Sequence, residues 1–226
     1  MSKNTQGYLG PQIGKLGPAV GFLWKGRNIY RSHNPFVHDP QTPAQQLIRA
    51  KFKLLAQVTR LLSPAINIGY AYKADSEHTT TRGIFTKLNW QHVSASSPDD
   101  ADIDMTLLSL ADGPLTPVAF GTPSISDLTL TVPIANSYSG IGCALDSDRV
   151  HLLVANRSKD MAILVSAART DTQLQASLPD TFTGTQVELY GFVTTSVLQP
   201  TFIPAYNGNV YPKMSSISTH IATMDV

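Results

Sequence analysis

The sequence is poor in cysteine and in charge. Its single cysteine, Cys143, cannot form an internal disulfide, and a lone cysteine is most often a small buried hydrophobic residue. Charged residues make up 15% of the 226 residues, well below the roughly one quarter that is usual. Ser, Thr, Asn and Gln must therefore cover much of the surface, and such a surface is suited to burial against neighbouring chains.

Long apolar runs are also missing. No stretch approaches the roughly 20 apolar residues of a membrane helix. Residues 1 to 10 lack the apolar core of a secretory signal peptide. We therefore expect a protein without a signal peptide that is made and used in a cytoplasm, or released from it by lysis.

Sequence motifs for common enzyme chemistry are absent. The sequence has no nucleophile elbow, no P-loop and no dinucleotide-binding fingerprint. Its six histidines show none of the spacings typical of zinc ligands. We therefore expect no enzymatic activity and no cofactor.

An acidic stretch at residues 99 to 104 is the best candidate for a metal site. Alternate carboxylates at Asp100, Asp102 and Asp104 could share a calcium ion. The stretch lacks the glycine and the glutamate that an EF-hand loop needs at its sixth and twelfth positions. The alternatives are a solvated acidic turn and a docking point for basic residues.

The sequence does contain a strong division of charge beneath its net charge of +1. Residues 1 to 60 include nine basic residues and one acidic residue, whereas the remainder has eight basic and fifteen acidic residues. The basic part can fold back on its own acidic body or contact the body of another copy. Nucleic acid is a third possible partner. Because the basic residues are spaced apart among apolar ones, we favour protein contacts.

Glycine and proline recur throughout residues 1 to 41, which predicts an extended basic arm rather than a core. Within the arm, Ala19–Trp24 and Arg27–Ser32 are predicted to form a hairpin with its turn at Lys25-Gly26. Aromatic residues and arginines dominate many binding interfaces. We therefore predict that five arm residues lie at contacts between subunits: Trp24, Arg27, Tyr30, Arg31 and Phe36.

The clearest helix signal covers residues 43 to 62. Thr42 is placed to cap the helix, Pro43 suits its first position, and Gln45 completes a capping box. Apolar residues then recur at helical spacing until Pro64 ends the run. The four basic residues do not all lie on one face, so we expect this helix to pack against a sheet. They are Arg49, Lys51, Lys53 and Arg60.

After residue 113 the pattern changes to short strands separated by turn residues, which is typical of a β-sandwich. The candidate strands are residues 117–120, 128–133, 149–156, 161–168, 172–177 and 186–195. Before them, residues 94 to 104 are predicted to form an exposed loop, and residues 79 to 90 a strand or a partly helical segment. We expect four segments: the arm 1–41, a helix with β elements at 42–112, a sandwich at 113–203, and a polar tail at 204–226 that extends onto a neighbour.

Several motifs together resemble an uncharacterised family of unknown function found in Bacteroidetes bacteria and their phages. The motifs are Gly14-Lys15-x-Gly17, Trp24-Lys25-Gly26, Pro40-x-Thr42-x-x-Gln45-x-x-x-Arg49-x-x-Phe52, and Leu178-Pro179-x-x-Phe182-x-Gly184. The paired strands 150–156 and 161–168 around a Ser-Lys-Asp turn continue the resemblance. It extends over residues 10 to 203.

The resemblance implies a short N-terminal region joined to an immunoglobulin- or fibronectin-like domain, with no known catalytic residues and with occurrence among phage genes. The fold prediction is therefore mainly β: an immunoglobulin-like β-sandwich with an N-terminal arm and hairpin and one amphipathic helix. We expect a structural subunit that forms a homo-oligomer, as a tail, capsid-associated or fibre protein of a virion assembled in the host cytoplasm. Its partners would be itself and other virion proteins. The alternative is a binding module for nucleic acid through the arm, or for surface glycans through the sandwich loops.

Overall fold

The computed structural model describes residues 3–4, 12–24, 27–33, 36, 39–135, 146–195 and 215–226. The predictions for Cys143, for the Lys25-Gly26 turn and for residues 204 to 214 concern positions outside these described residues. The chain divides into two compact units, Met1–Gln45 and Gln46–Val226. The division into four segments stays a prediction.

The first unit is a four-stranded antiparallel sheet in which the strands follow chain order. Its strands are β1 (Lys3–Asn4), β2 (Gln12–Leu16), β3 (Ala19–Trp24) and β4 (Arg27–Ser32). β3 and β4 are the predicted hairpin strands, with the bounds expected. β2 was not predicted, and it reaches β3 through a turn at Gly17, whose φ of 56° favours glycine.

The first helix, α1 (Pro43–Leu61), begins where the capping box predicts. The Thr42 N–H donates to the Gln45 side-chain oxygen at 3.2 Å, and the Gln45 N–H donates to the Thr42 hydroxyl at 3.4 Å. The buried residues of α1 all lie in its last two turns: Leu55, Val58, Thr59 and Leu61. No helix in the described part of the chain is both long and apolar enough to cross a membrane.

Three further helices follow α1, so the expectation of one helix is wrong. They are α2 (Ser63–Gly69), α3 (Ala71–Ser76) and α4 (Thr81–Asn89). Pro64 lies in the first turn of α2, where proline is tolerated, so it separates α1 from a new helix. The Thr80 hydroxyl caps α4 by accepting from the Gly83 N–H at 3.0 Å. The ambiguous segment 79–90 is therefore helical.

The strands of the second unit form antiparallel sheets. In chain order they are β5 (Val93–Ser94), β6 (Asp102–Ile103), β7 (Ala119–Phe120), β8 (Ser124–Ser126), β9 (Thr129–Ala135), β10 (Arg149–Asn156), β11 (Met161–Ala168), β12 (Gln173–Ser177), β13 (Gln186–Thr194) and β14 (Thr219–Asp225). The central sheet has the order β11-β10-β13-β14, and the second sheet has the order β12-β9-β7 with β8 beside β9. β5 and β6 pair only with each other. All six predicted strands are present.

The central sheet is covered on both faces. One face contributes Leu153 and Tyr190 to an apolar cluster shared with the helices. The opposite face contributes Leu152 and Leu189 to a cluster shared with the second sheet. The second unit therefore has three layers, and the described chain is mainly β with a helical layer. The immunoglobulin-like form of the sheets stays a prediction.

Two of the sequence predictions for this unit need revision. The stretch expected as an exposed loop, residues 94 to 104, is mostly irregular and exposed as predicted, but it contains β6, in which Ile103 pairs with Val93 and is only 3% exposed. The end of the predicted tail is β14, which pairs with β13 rather than extending onto a neighbour. The pairing shifts register between Leu189 and Tyr190. Such a shift breaks the strict alternation of side chains between the two faces, which is why β14 shows only a weak alternation of apolar and polar residues.

Candidate interaction surface

The register of the N-terminal sheet sorts its side chains onto two faces. Directly paired residues share a face of an antiparallel sheet, and successive residues along a strand alternate between faces. Trp24 pairs with Arg27, and Val20 pairs with both Lys15 and Arg31. All three cations of β2, β3 and β4 therefore lie on one face. This charged face consists of Ile13, Lys15, Val20, Phe22, Trp24, Arg27, Ile29 and Arg31.

The opposite face carries no charged side chain on β2, β3 or β4. Gly21 pairs with Tyr30, and a Cβ at Gly21 would lie 2.9 Å from the Tyr30 ring and 2.2 Å from the Gln12 carbonyl oxygen. The Tyr30 hydroxyl accepts a hydrogen bond from the Gln12 N–H at 3.3 Å. Glycine at position 21 thus lets the tyrosine ring cross β3 and reach β2. We call this the uncharged face.

No side chain of β2, β3 or β4 is buried. Among the described residues of Met1–Gln45, Gly21 alone is buried. Trp24 is 42% exposed and Tyr30 is 52% exposed. Strands gain most of their stability when an apolar face is covered. A sheet of this size without buried side chains is marginal until another surface covers it.

The structure brings together only part of the predicted subunit contact. Trp24, Arg27 and Arg31 lie on the charged face, whereas Tyr30 lies on the uncharged face. Phe36 follows β4 outside any strand and is 87% exposed. The role of these five residues in subunit contacts stays a prediction.

Sequence reasoning missed the contributions of β2 and of alternate β3 residues to the charged face. Lys15 joins it through its pairing with Val20, and Phe22 joins it through its pairing with Ile29. Recognising Gly17-Pro18 as the turn of a second hairpin would have placed β2 beside β3 and revealed both.

The acidic stretch at residues 99 to 104 makes contacts within its own unit. An Asp102 carboxylate oxygen accepts from Arg157 at 3.2 Å. Asp104 accepts from the hydroxyl and the N–H of Thr106 at 2.7 and 3.0 Å, and these hydrogen bonds lower the pKa of the Asp104 carboxyl. The Asp100 N–H donates to the Ser97 carbonyl at 3.2 Å. No group of three or more His, Cys, Asp or Glu side chains within the described ranges is arranged to hold a metal ion, so the calcium prediction gains no support.

Part of this stretch lines an acidic groove on the second unit. The groove has a volume of about 590 Å³, and its lining includes the carboxylates of Asp102, Asp104 and Glu188 together with Arg157, which pairs with Asp102. Glu188 accepts hydrogen bonds from His220 at 2.7 Å and from Thr223 at 2.6 Å. Leu107, a large exposed apolar residue, also lines it. The groove thus combines carboxylates with an apolar contact point.

A family model described as "Family of unknown function (DUF6266)" matches residues 10–199. The chain belongs to this family. The prediction of an uncharacterised family is confirmed, while its taxonomic range stays a prediction. The region matched to DUF6266 includes β2, β3 and β4, and therefore the whole charged face. No curated protein and no solved structure matches the chain.

Proposed function

We propose that this DUF6266 protein is a non-enzymatic structural subunit that assembles with further copies of itself through the charged face of the N-terminal sheet. One observation carries the proposal: the described residues of the first unit contain exposed aromatic side chains and no buried side chain. Covering such a sheet removes apolar surface from water, which is the main favourable term in association. Another copy of the chain supplies the cover.

The composition of the charged face favours a protein partner. The apolar pair Phe22–Ile29 lies between the pairs Val20–Arg31 and Trp24–Arg27 along the two strands. Tryptophan and arginine are the residues most enriched among binding hot spots, particularly where an apolar centre excludes water from charged pairs. An apolar strip flanked by guanidinium groups fits a surface that is both acidic and partly apolar.

The acidic groove of a second copy is the partner surface we propose. Its Asp104 and Glu188 carboxylates complement Arg27 and Arg31, and its exposed Leu107 offers a contact for Trp24. The sheet of one copy would then contact a different surface on the next. Head-to-tail contacts of this kind close into a ring or continue as a filament, depending on the rotation between copies.

Light scattering on the full chain tests this assembly. Replacing Arg27 and Arg31 by Gln removes two positive charges from the charged face of β4. Replacing Asn28 and Ser32 by Glu adds two negative charges to the uncharged face of the same strand, so both variants change the net charge equally. We expect the first variant to shift the protein towards the mass of a single chain at concentrations where the second remains assembled.

Two results would count against the proposal. A wild-type chain that stays monomeric at every concentration would rule out self-assembly. Assembly that both double variants weaken equally would rule out the charged face as the contact, because only one variant alters it.

We further propose that the assembly belongs to a phage virion, as a tail, capsid-associated or fibre component put together in the host cytoplasm with other virion proteins. The family resemblance described for the sequence supports this part. Mass spectrometry of phage particles purified from a strain that carries the gene should detect the chain in stoichiometric amounts. Particles that lack the chain would contradict the virion assignment and leave self-assembly untouched.

A further inference from the structure

The outward side of α1 is basic along its length. Its residues from position 46 onward are Gln46, Arg49, Lys53, Ala56, Gln57 and Arg60, and each is exposed. We call these six residues the α1 ridge. Arg49, Lys53 and Arg60 lie within about 40° of one another around the helix axis. Three of the four cations of α1 therefore share one side of the helix, although all four do not, as the sequence predicts.

Lys51 is the exception among the cations of α1. It lies about 180° around the axis from Arg60. Leu55 and Val58 on that side are buried, and Lys51 is half-buried beside them. From residue 46 onward, the helix therefore has one side packed into the core of the second unit and one exposed cationic side.

The α1 ridge differs from an ordinary solvated helix surface. Exposed helices usually mix both signs of charge, because Glu and Lys four residues apart attract each other. α1 contains no acidic residue, and Arg49 and Lys53 are like charges at that spacing, which destabilises a helix. A row of cations on one side of a helix that contains no acidic residue is suited to an anionic ligand.

The Arg60 end of this ridge contacts a carboxylate from outside the helix. Asp160, in the turn between β10 and β11, binds Arg60 at 2.5 Å, but both side chains remain more than half exposed. Water screens such a pair strongly, so a phosphate can take the place of Asp160. Arg60, Asp160 and Arg157 line the same groove of about 330 Å³, and Arg157 also pairs with Asp102 at 3.2 Å.

We infer that the α1 ridge binds the phosphate backbone of nucleic acid. Arg49 and Arg60 are about 16 Å apart along the helix axis, so the cations form a line that matches a linear polyanion. The residues between the cations are glutamines and an alanine, and Arg, Lys and Gln are common donors to phosphate oxygens. Contacts of this type do not read bases, so binding is independent of sequence.

An acidic protein fits the α1 ridge less well. Protein interfaces are enriched in aromatic residues and depleted in lysine. The ridge has no aromatic residue, whereas the charged face of the N-terminal sheet has Phe22 and Trp24. The two basic surfaces thus have different chemistry, and the inference about α1 stands apart from the proposed self-assembly.

Fluorescence anisotropy with a labelled duplex DNA oligonucleotide and the full chain tests the inference. We expect the logarithm of the binding constant to fall linearly with the logarithm of salt concentration. Lys53→Gln should weaken binding to unrelated sequences alike and reduce the salt slope by about 1. Lys51→Gln removes the same charge from the other side of the same helix and should leave the slope unchanged.

Three outcomes would overturn the inference: no binding at low salt, equal weakening by Lys51→Gln and Lys53→Gln, or displacement of DNA by polyglutamate at matched charge as effective as by unlabelled DNA. The last would identify an acidic protein as the ligand. Circular dichroism and light scattering should give the same helix content and mass for Lys53→Gln as for wild type. Loss of DNA binding in this variant is then separate from any loss of assembly.

Discussion

Gly191 in β13 leaves room for the Phe120 ring against the central sheet. A Cβ at this position would lie 2.2 Å from the ring. We expect Gly191→Ala to lower the free energy of unfolding by about 1–3 kcal/mol, because a packed ring and its strand must move. Urea denaturation measures the loss. Adding Phe120→Ala to Gly191→Ala should recover part of it, and a Gly191→Ala protein as stable as wild type would contradict the packing described.

The buried phenol of Tyr70 makes stability depend on alkaline pH. Its hydroxyl donates to the Ser109 carbonyl at 2.8 Å, and burial raises the pKa of Tyr70 from 10.0 to about 12. The unfolded chain therefore loses this proton first. The stabilising contribution is complete below pH 10 and is lost as the pH rises from about 10 to about 12, at about 1.4 kcal/mol per pH unit.

Tyr70→Phe should remove this dependence. We expect the unfolding free energy of the variant to fall less steeply than that of wild type across the same pH window, as measured by urea denaturation at stepped pH. Tyrosinate absorbance should report one fewer late-titrating group. Identical slopes in the two proteins would show that Tyr70 ionises equally in the folded and unfolded chains.

Among the elements, the capping box controls the start of α1 without supporting its packed end. The cap joins Thr42 to Gln45, whereas the first buried residue of the helix is Leu55. Thr42→Ala should cost about 1 kcal/mol locally and speed hydrogen exchange in the first turn. Thr42→Ser should keep slow exchange. Unchanged exchange in Thr42→Ala would mean that other contacts hold this turn.

β14 completes the central sheet and should be essential to it. Ile221, Ala222 and Met224 pack against the cluster shared with the second sheet, and β14 pairs with β13 on both sides of the register shift. Removing residues 219 to 226 should expose that edge and cluster and cost the second unit its cooperative unfolding transition, measured by circular dichroism on heating. His220→Ala, which removes the contacts to Glu188 and to the Tyr190 ring but leaves the strand in place, should retain the transition. A sharp transition in the truncated chain would show that the second unit folds without β14.

The elements that could be predicted are those whose local signal agrees with their surroundings. α1 carries a complete capping box, so its start was predicted correctly and its end to within one residue. β10 and β11 are apolar runs joined by a turn, and their bounds were predicted correctly. The helices α2 and α3 have only seven and six residues. Tertiary burial of Ile66 and Tyr70, rather than helical periodicity, holds such short segments in place.

The candidate surfaces were predictable in composition but not in arrangement. Trp24, Arg27 and Arg31 are residue types that favour interfaces, so a contact role can be predicted for them from the sequence. Their separation from Tyr30 depends on strand register, which the unrecognised β2 helps to define. On α1, the position of Lys51 on the opposite side of the helix masks the alignment of the other three cations in the sequence pattern.

At the scale of the whole molecule, the two units carry net charges of opposite sign. Met1–Gln45 has five basic residues and one acidic residue, whereas Gln46–Val226 has twelve basic and fifteen acidic residues. Raising the salt concentration should screen attraction between copies and lower the assembly mass measured by light scattering. The protein with Arg27→Gln and Arg31→Gln should respond less to salt. A wild-type mass that rises with salt would instead indicate assembly through apolar contacts alone.

The central sheet, buried between helices and a second sheet, also determines where this sequence can vary. Every residue of β10 after Arg149 is buried, and β13 is buried almost throughout. In β12, by contrast, exposed and buried positions alternate. A polar replacement can therefore be absorbed at every second position of β12 but at almost none in β10 or β13. Polar substitutions should therefore be tolerated mainly at exposed positions of the outer strands and helices, which are also the surfaces that partners can contact.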